Sequence, residues 1–177
     1  MKIFLVGMPG SGKSTLGKQI ARLMEMHFID LDVEIEHITH TSIRELFQQH
    51  GEDYFRELER DTLDQLVHKY ENFVMATGGG TPCFHDNMKV MNKAGLSVFI
   101  NIPSQEIIHR MSKKGMVERP LFQGMDTENL VAEFDKKFRH RIPFYKQSQI
   151  EISGDYVTAE RIIHLISLPP KAKDSKN

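Results

Sequence analysis

The run KIFLVGMPGSGKST, residues 2–15, decides the fold of this chain. Its first five residues are apolar on both faces, the pattern of a strand buried inside a parallel sheet. Residues 7–14 then fit G-x-x-x-x-G-K-[ST], with Gly7, Gly12, Lys13 and Ser14 at the defining positions. Glycines let the backbone turn tightly enough for successive N–H groups to point inward at phosphate oxygens. A helix opening at the end of such a loop adds its own free N–H groups and the positive end of its dipole. In that setting Lys13 reaches the outer phosphates and the Ser14 hydroxyl is offered to Mg²⁺. Residues 14–26 supply the helix, with Leu16, Ile20, Leu23 and Met24 expected on its buried stripe.

Working outward, HFIDLD (27–32) is a second strand-like run ending in acids. Residues 33–70 carry a helical pattern, broken near HTS (40–42) and again at HGED (50–53), and Ser42 with Glu45 forms a capping-box signature. NFVMATGGG (72–80) reads as a third strand running into glycines, LSVFINI (96–102) as a fourth and QIEIS (149–153) as a fifth. Residues 104–111 predict a short helix, 126–145 a long one and 158–167 a closing one. Between the first two, residues 112–124 are charged and glycine-bearing and read as a lid loop. Strands separated by helices predict an α/β fold on a parallel sheet. A single domain over 1–168 is expected, followed by a disordered polar tail, PPKAKDSKN, at 169–177.

Bulk properties narrow the partners. The 177 residues carry a net charge of −1, so no global field favours nucleic acid or an anionic membrane. Anions must be held by local clusters. The lone cysteine, Cys83, precludes an intrachain disulfide and fits a reducing cytoplasm. The apolar run Ile3–Val6 is shorter than the roughly 7–15 residues of a signal h-region or the about 20 of a membrane span.

The loop alone does not name the phosphate acceptor. No N/T-K-x-D guanine motif is present, and the third strand ends in TGGG rather than in the aspartate of a large ATPase. Asp30 and Asp32 fall at the C-terminal end of the second strand, the edge of a parallel sheet where ligands bind; a helix N-terminal pair is the other reading of them. GEDYFRELE (51–59) puts Arg56 and Glu59 on one helix face, where a plain intrahelical salt bridge is the alternative to a site. The glycines of TGGG (77–80) suggest close approach of a ligand to backbone N–H groups. Arg119, in ERPLF (118–122), lies on the expected lid, where an arginine can neutralise a transferring phosphoryl group. Arg139 and Arg141, two apart on a helix, diverge by about 200°, so at most one faces a given site.

GMPGSGKST, DLD, F-R-x-x-E, TGGG, RPL and R-x-P-F-Y, in that order and approximate spacing, resemble shikimate kinase over residues 3 to about 165. The resemblance implies a P-loop, nucleoside-monophosphate-kinase-like fold with a five-stranded parallel sheet and helices on both faces. A substrate-binding region at about 32–60 and a lid at about 112–124 complete it. It implies ATP-dependent phosphorylation of the 3-hydroxyl of shikimate, on the route to chorismate and aromatic amino acids. Position by position, Gly10, Ser11, Gly12, Lys13, Ser14 and Thr15 would bind the ATP phosphates, with Lys13 on the transferring one. Ser14 and Asp30 would hold Mg²⁺. Asp32 would bind the substrate hydroxyl and act as base, and Arg56 and Arg141 would hold the carboxylate. Gly78, Gly79 and Gly80 would lie near the ring hydroxyls, Glu59 would orient Arg56, Arg110 would lie beside adenine and Arg119 would close on the phosphates. The expected partners are shikimate and ATP, with no nucleic acid or membrane, and the expected state is a monomer. GDYVTAE (154–160) lacks the proline-bearing turn that many members place around the adenine, and Thr81 and His140 are local variants. A gluconate kinase is the near alternative. A nucleotide-binding regulator without kinase activity is the distant one, opposed by the intact Lys13, Asp32 and Arg119.

Overall fold

A computed structural model describes residues 1–113, 127–154 and 157–168. In chain order these form β1 (Lys2–Val6), α1 (Lys13–Leu23), β2 (His27–Asp30), α2 (Leu31–Thr39), α3 (Ile43–Lys69), β3 (Phe73–Ala76), α4 (Asn87–Ala94), β4 (Leu96–Asn101), α5 (Ser104–Lys113), α6 (Thr127–Tyr145), β5 (Ile150–Ser153) and α7 (Ala159–Ser167). A 3₁₀ turn at Thr81–Cys83 joins β3 to α4. The five strands are parallel in the order β2-β3-β1-β4-β5.

The central strand is the one that carries the glycine loop. Ile3, Phe4, Leu5 and Val6 are all fully buried, as two covered faces demand. The chain passes to one side of β1 for β2 and β3 and crosses to the other for β4 and β5, so the order reverses at the C-terminal end of β1. That end is the crevice where an open α/β sheet takes its ligands. Phe4 meets Phe73 edge-to-face at 5.4 Å and ties β1 to β3 through the core.

Two expectations need correction. The buried face of α1 is Lys13, Leu16, Gly17, Ile20 and Ala21, while Leu23 is 56% exposed. Leu16 and Ile20 hold their expected places and Met24 is half-buried, but the face turned to β2 carries Gly17, where a Cβ would stand 2.6 Å from the Phe28 ring. The helix α4 was not anticipated. It has eight residues, no side-chain cap, and only Asn87, Met88 and Met91 buried. Of the two readings of Asp30 and Asp32, the helix N-terminal one holds: β2 stops at Asp30, which takes the N-cap position of α2, and Asp32 falls in that helix's first turn.

The capping box at Ser42 and Glu45 is formed in both directions. The break at HGED is a kink at Gly51 (φ 82°, ψ 177°), with the helical segments on either side otherwise continuous. The expected lid is described only at residues 112 and 113, and the tail at 169–177 lies outside the described residues. Among the described residues no helix is long and apolar enough to cross a membrane.

Gly95 sets the start of β4 against β1. A Cβ there would lie 2.3 Å from the Lys2 carbonyl oxygen, a backbone atom that cannot turn aside. Gly95→Ala is expected to cost about 1–3 kcal/mol and to lower Tm by a few degrees in a thermal melt, with the circular dichroism spectrum of the folded state unchanged.

Candidate active site

The loop after β1 is shaped by backbone. Gly7 (φ 145°), Gly10 (φ 81°) and Gly12 (φ 96°) all adopt positive φ, and a Cβ on Gly7 would stand 2.7 Å from the Ile100 carbonyl oxygen. Gly12 is the N-cap of α1 and offers no side-chain acceptor, and the first turn of α1 holds no acid. The N–H groups at that helix end are thus left for an anion. The Ser11 hydroxyl is buried and has no hydrogen-bond partner among the described residues. An anion in the cradle would satisfy such an orphan.

Lys13 is buried and curls back over the loop. Its Nζ donates to the carbonyls of Gly7 (2.9 Å) and Met8 (2.8 Å). Burial lowers its pKa to about 8, against the pull of Asp32 and Asp30, and the Arg141 charge lowers it further. Residues 10–16, Gln19, Arg110 and Val157 line a cleft of about 500 Å³ over this loop. Arg110 is held there by Glu106, Nε to Oε1 at 2.7 Å. Gln19 and Val157 are wall residues that the motif reading did not find.

The Ser14 hydroxyl donates to Asp30 Oδ2 at 2.6 Å. Among the described residues no cluster of three or more His, Cys, Asp or Glu side chains could hold a metal alone. One hydroxyl and one carboxylate suit an ion that keeps most of its ligands as water and phosphate, as Mg²⁺ does.

Facing the loop, the glycines of TGGG approach charged side chains that no Cβ could clear. At Gly78 it would lie 2.8 Å from Asp32 Oδ1, 2.9 Å from Glu59 Oε1 and 3.0 Å from Thr81 Oγ1. At Gly79 it would meet Pro9 Cδ at 2.5 Å and Arg141 Nη1 at 3.1 Å, and at Gly80 it would meet Arg56 Nη2 at 2.5 Å. Asp32, Arg56, Glu59 and Arg141 therefore converge on three consecutive residues. Arg139 is exposed, as the helical divergence required.

Arg56 and Glu59 form the salt bridge, at 2.9 Å, and both are buried. The intrahelical salt bridge read from GEDYFRELE is thus formed. Thr81 Oγ1 donates to Glu59 Oε1 at 2.5 Å, and the Asn87 side chain donates to the Thr81 carbonyl at 3.0 Å. Phe84 lies over the Arg56 guanidinium at 4.4 Å. Tyr145, four residues beyond Arg141 and so on the same face of α6, donates to the Gly79 carbonyl at 2.6 Å and reaches Met8 Sδ at 3.6 Å. Burial pushes its hydroxyl pKa far up, so it remains a donor. The i, i+4 spacing of Arg141 and Tyr145 was the available signal for that role. Nothing local marks Phe84 or Thr81. Arg119 lies outside the described residues.

Asp32 is raised to a pKa of about 6, first by burial and then by the charges of Glu59 and Asp30, with Lys13 opposing. A carboxylate that ionises near neutrality beside a phosphate cradle can take a proton from a hydroxyl.

A phosphate loop at the switch point of this sheet, with two arginines gathered on the glycine turn across from it, defines a P-loop small-molecule kinase. The family model for shikimate kinase matches residues 9–167. A shikimate kinase of Bacteroides thetaiotaomicron is 43% identical over 155 residues, 88% of this chain and 87% of that protein. The crystal structure of shikimate kinase from Bacteroides thetaiotaomicron superposes with a TM-score of 0.88 at 39% identity, covering 95% of this chain and 99% of that one. Shikimate kinase from Acinetobacter baumannii in complex with shikimate superposes with a TM-score of 0.81 at 30% identity, covering 93% and 92%. This chain belongs to the shikimate kinase family.

The raised pKa of Asp32 has a cost in stability. Well below its ordinary pKa of 3.8 the group is protonated both folded and unfolded and contributes nothing. Above about pH 6 it is ionised in both, and the folded state bears the burial. Asp32→Asn is therefore expected to raise Tm at pH 7–8 and to leave it nearly unchanged at about pH 3, below the ordinary pKa of 3.8. A gain of equal size at both pH values would show that burial of the charge is not the cause.

Proposed function

We propose that the chain transfers the γ-phosphoryl group of ATP to the 3-hydroxyl of shikimate, a step toward chorismate and aromatic amino acids. The observation that carries this reading is the buried Arg56 guanidinium against Gly80, with Arg141 at the adjoining Gly79, on which Pro9 of the phosphate loop packs. Planar guanidinium forks suit a carboxylate. Residues 1–168 act as one kinase domain, as a monomer in the cytoplasm, the setting that a lone Cys83 favours.

Gly10, Ser11, Gly12, Lys13, Ser14 and Thr15 hold the phosphates of ATP, and Arg110 lies beside the adenine. Lys13 exchanges its Gly7 and Met8 carbonyls for the transferring phosphoryl group. Ser14 and Asp30 hold Mg²⁺, which when bound offsets phosphate charge. Arg56 and Arg141 grip the shikimate carboxylate, Glu59 keeps Arg56 in place, and the Gly78, Gly79 and Gly80 backbone lies against the ring hydroxyls. Asp32 accepts the proton of the attacking hydroxyl as that oxygen bonds phosphorus in line with the departing ADP. Arg119, carried over from the family motif, closes on the phosphates and helps to exclude water. Phosphoryl transfer needs little covalent chemistry from the protein, so positioning and fixed charge dominate.

A coupled ADP-release assay with shikimate, gluconate or no acceptor tests the acceptor. Turnover is expected with shikimate alone. Gluconate-dependent turnover would move the chain to another small-molecule kinase, and nucleotide binding without turnover would make it a regulator. Asp32→Asn is expected to lose most of kcat while ATP still binds, and Arg56→Ala to raise KM for shikimate far more than KM for ATP. In the wild type, kcat/KM is expected to fall below about pH 6, where Asp32 takes up its proton. An acid limb near pH 4 would remove Asp32 from the role of base.

A further inference from the structure

The Arg56 guanidinium is held by two carboxylates of very different exposure. Glu59 accepts from Nη1 at 2.9 Å, and its side chain is 1% exposed. Glu52 accepts through a single oxygen, Oε1, from Nε at 3.2 Å and from Nη2 at 2.9 Å. The Glu52 side chain is 54% exposed. The rest of the guanidinium is crowded, with Phe84 4.4 Å and Phe55 5.1 Å from Cζ and Gly80 pressed against Nη2. A carboxylate gripped through two bonds needs two adjacent N–H groups of the fork. The Nε–Nη2 edge is such a pair, and its present partner is the one that can withdraw into water.

We infer that Glu52 is an internal stand-in for the substrate carboxylate, a residue that sets affinity and selectivity by occupying the Nε–Nη2 edge of Arg56 until an acid displaces it. This rests on the reading of Arg56 as a carboxylate clamp. Without Glu52, the free protein would leave half of a buried cation unpaired, which is costly. With it, Arg56 waits in a fixed rotamer, and binding exchanges one carboxylate for another. A half-exposed pair is weak enough to exchange. The chain just before Glu52 permits the movement. Gly51 breaks the helix at φ 82°, and no atom lies within 4 Å of where its Cβ would be. Glu52 thus opens the second segment of α3 at an unpacked joint. An acid that makes no other contacts must compete with Glu52 through its carboxylate alone, so weak anions are turned away.

The test compares Glu52→Gln with Asp53→Asn, which removes the same charge one residue away at an exposed position. Glu52→Gln is expected to lower KM for shikimate roughly 2- to 5-fold, the range of an exposed ion pair, with kcat and KM for ATP unchanged. Asp53→Asn is expected to change none of them. Calorimetry with benzoate, a bare ring carboxylate, is expected to show tighter binding to Glu52→Gln than to wild type by a similar factor. An unchanged or raised KM for shikimate, or an equal fall in Asp53→Asn, would overturn the proposal. If the wild type shows no shikimate-dependent turnover, the acceptor assignment fails by itself. Benzoate binding then decides the role of Glu52, and equal affinity in the two proteins refutes it.

Discussion

The Glu59 carboxylate lies out of reach of water between Arg56 and Thr81, and the acceptor half of the site is arranged around keeping it paired. A buried ion pair broken on one side costs about 3–5 kcal/mol, because the remaining charge has no solvent. Each neighbour serves that requirement. Arg56 supplies the opposite charge, Thr81 supplies a hydroxyl, and Asn87 holds Thr81 by its carbonyl. Gly78 is thin enough to let Asp32, Glu59 and Thr81 meet beneath it. The same charge then acts outward, since Glu59 follows burial among the causes that raise Asp32 toward neutrality. One carboxylate thus holds Arg56 in place and raises Asp32.

The donor half answers a different problem. Its ligand brings its own charge, so the protein needs an empty cradle rather than a satisfied one. Positive-φ glycines, an uncapped helix N-terminus and the orphan Ser11 hydroxyl provide it. Lys13 cannot wait there unpaired, and it rests on two carbonyls of its own loop. Burial lowers its pKa to about 8, against the pull of Asp32 and Asp30. A protein of net charge −1 can bind two anionic substrates because its cations are gathered here and balanced by Asp30, Asp32, Glu52 and Glu59.

Much of this was legible in the sequence because it is local. The glycine loop, the capping box and the Arg56–Glu59 pair each depend on residues within one turn or two, and a fully buried β1 shows as an unbroken apolar run. What escaped depends on contacts across the sheet. Leu23 was placed inside by periodicity, yet α1 approaches β2 through Gly17 and Ala21, which follows only from where Phe28 lies. The helix α4 is held by two buried methionines and an asparagine that reaches back to Thr81, and its own eight residues announce little. Thr81 reads as an ordinary turn residue until α3 brings Glu59 beneath it, 22 positions away in the chain.

The two halves must still be set at a fixed distance, and that task falls to residues that touch neither substrate's reacting atoms. Pro9 of the phosphate loop packs so closely on Gly79 that a Cβ would stand 2.5 Å from its ring. Tyr145 donates to the carbonyl of the same Gly79 and reaches Met8, the residue before Pro9. Arg141 leaves α6 one turn earlier and comes to the same glycine. The phosphate loop, the glycine turn and the end of α6 therefore share one buried joint. In-line transfer needs reacting atoms about 3–3.5 Å apart, and an error of about 1 Å can cost on the order of 100-fold in rate. The Tyr145 hydroxyl, kept protonated by burial, donates to the Gly79 carbonyl and accepts from Arg141, so one buried phenol ties the glycine turn to the end of α6.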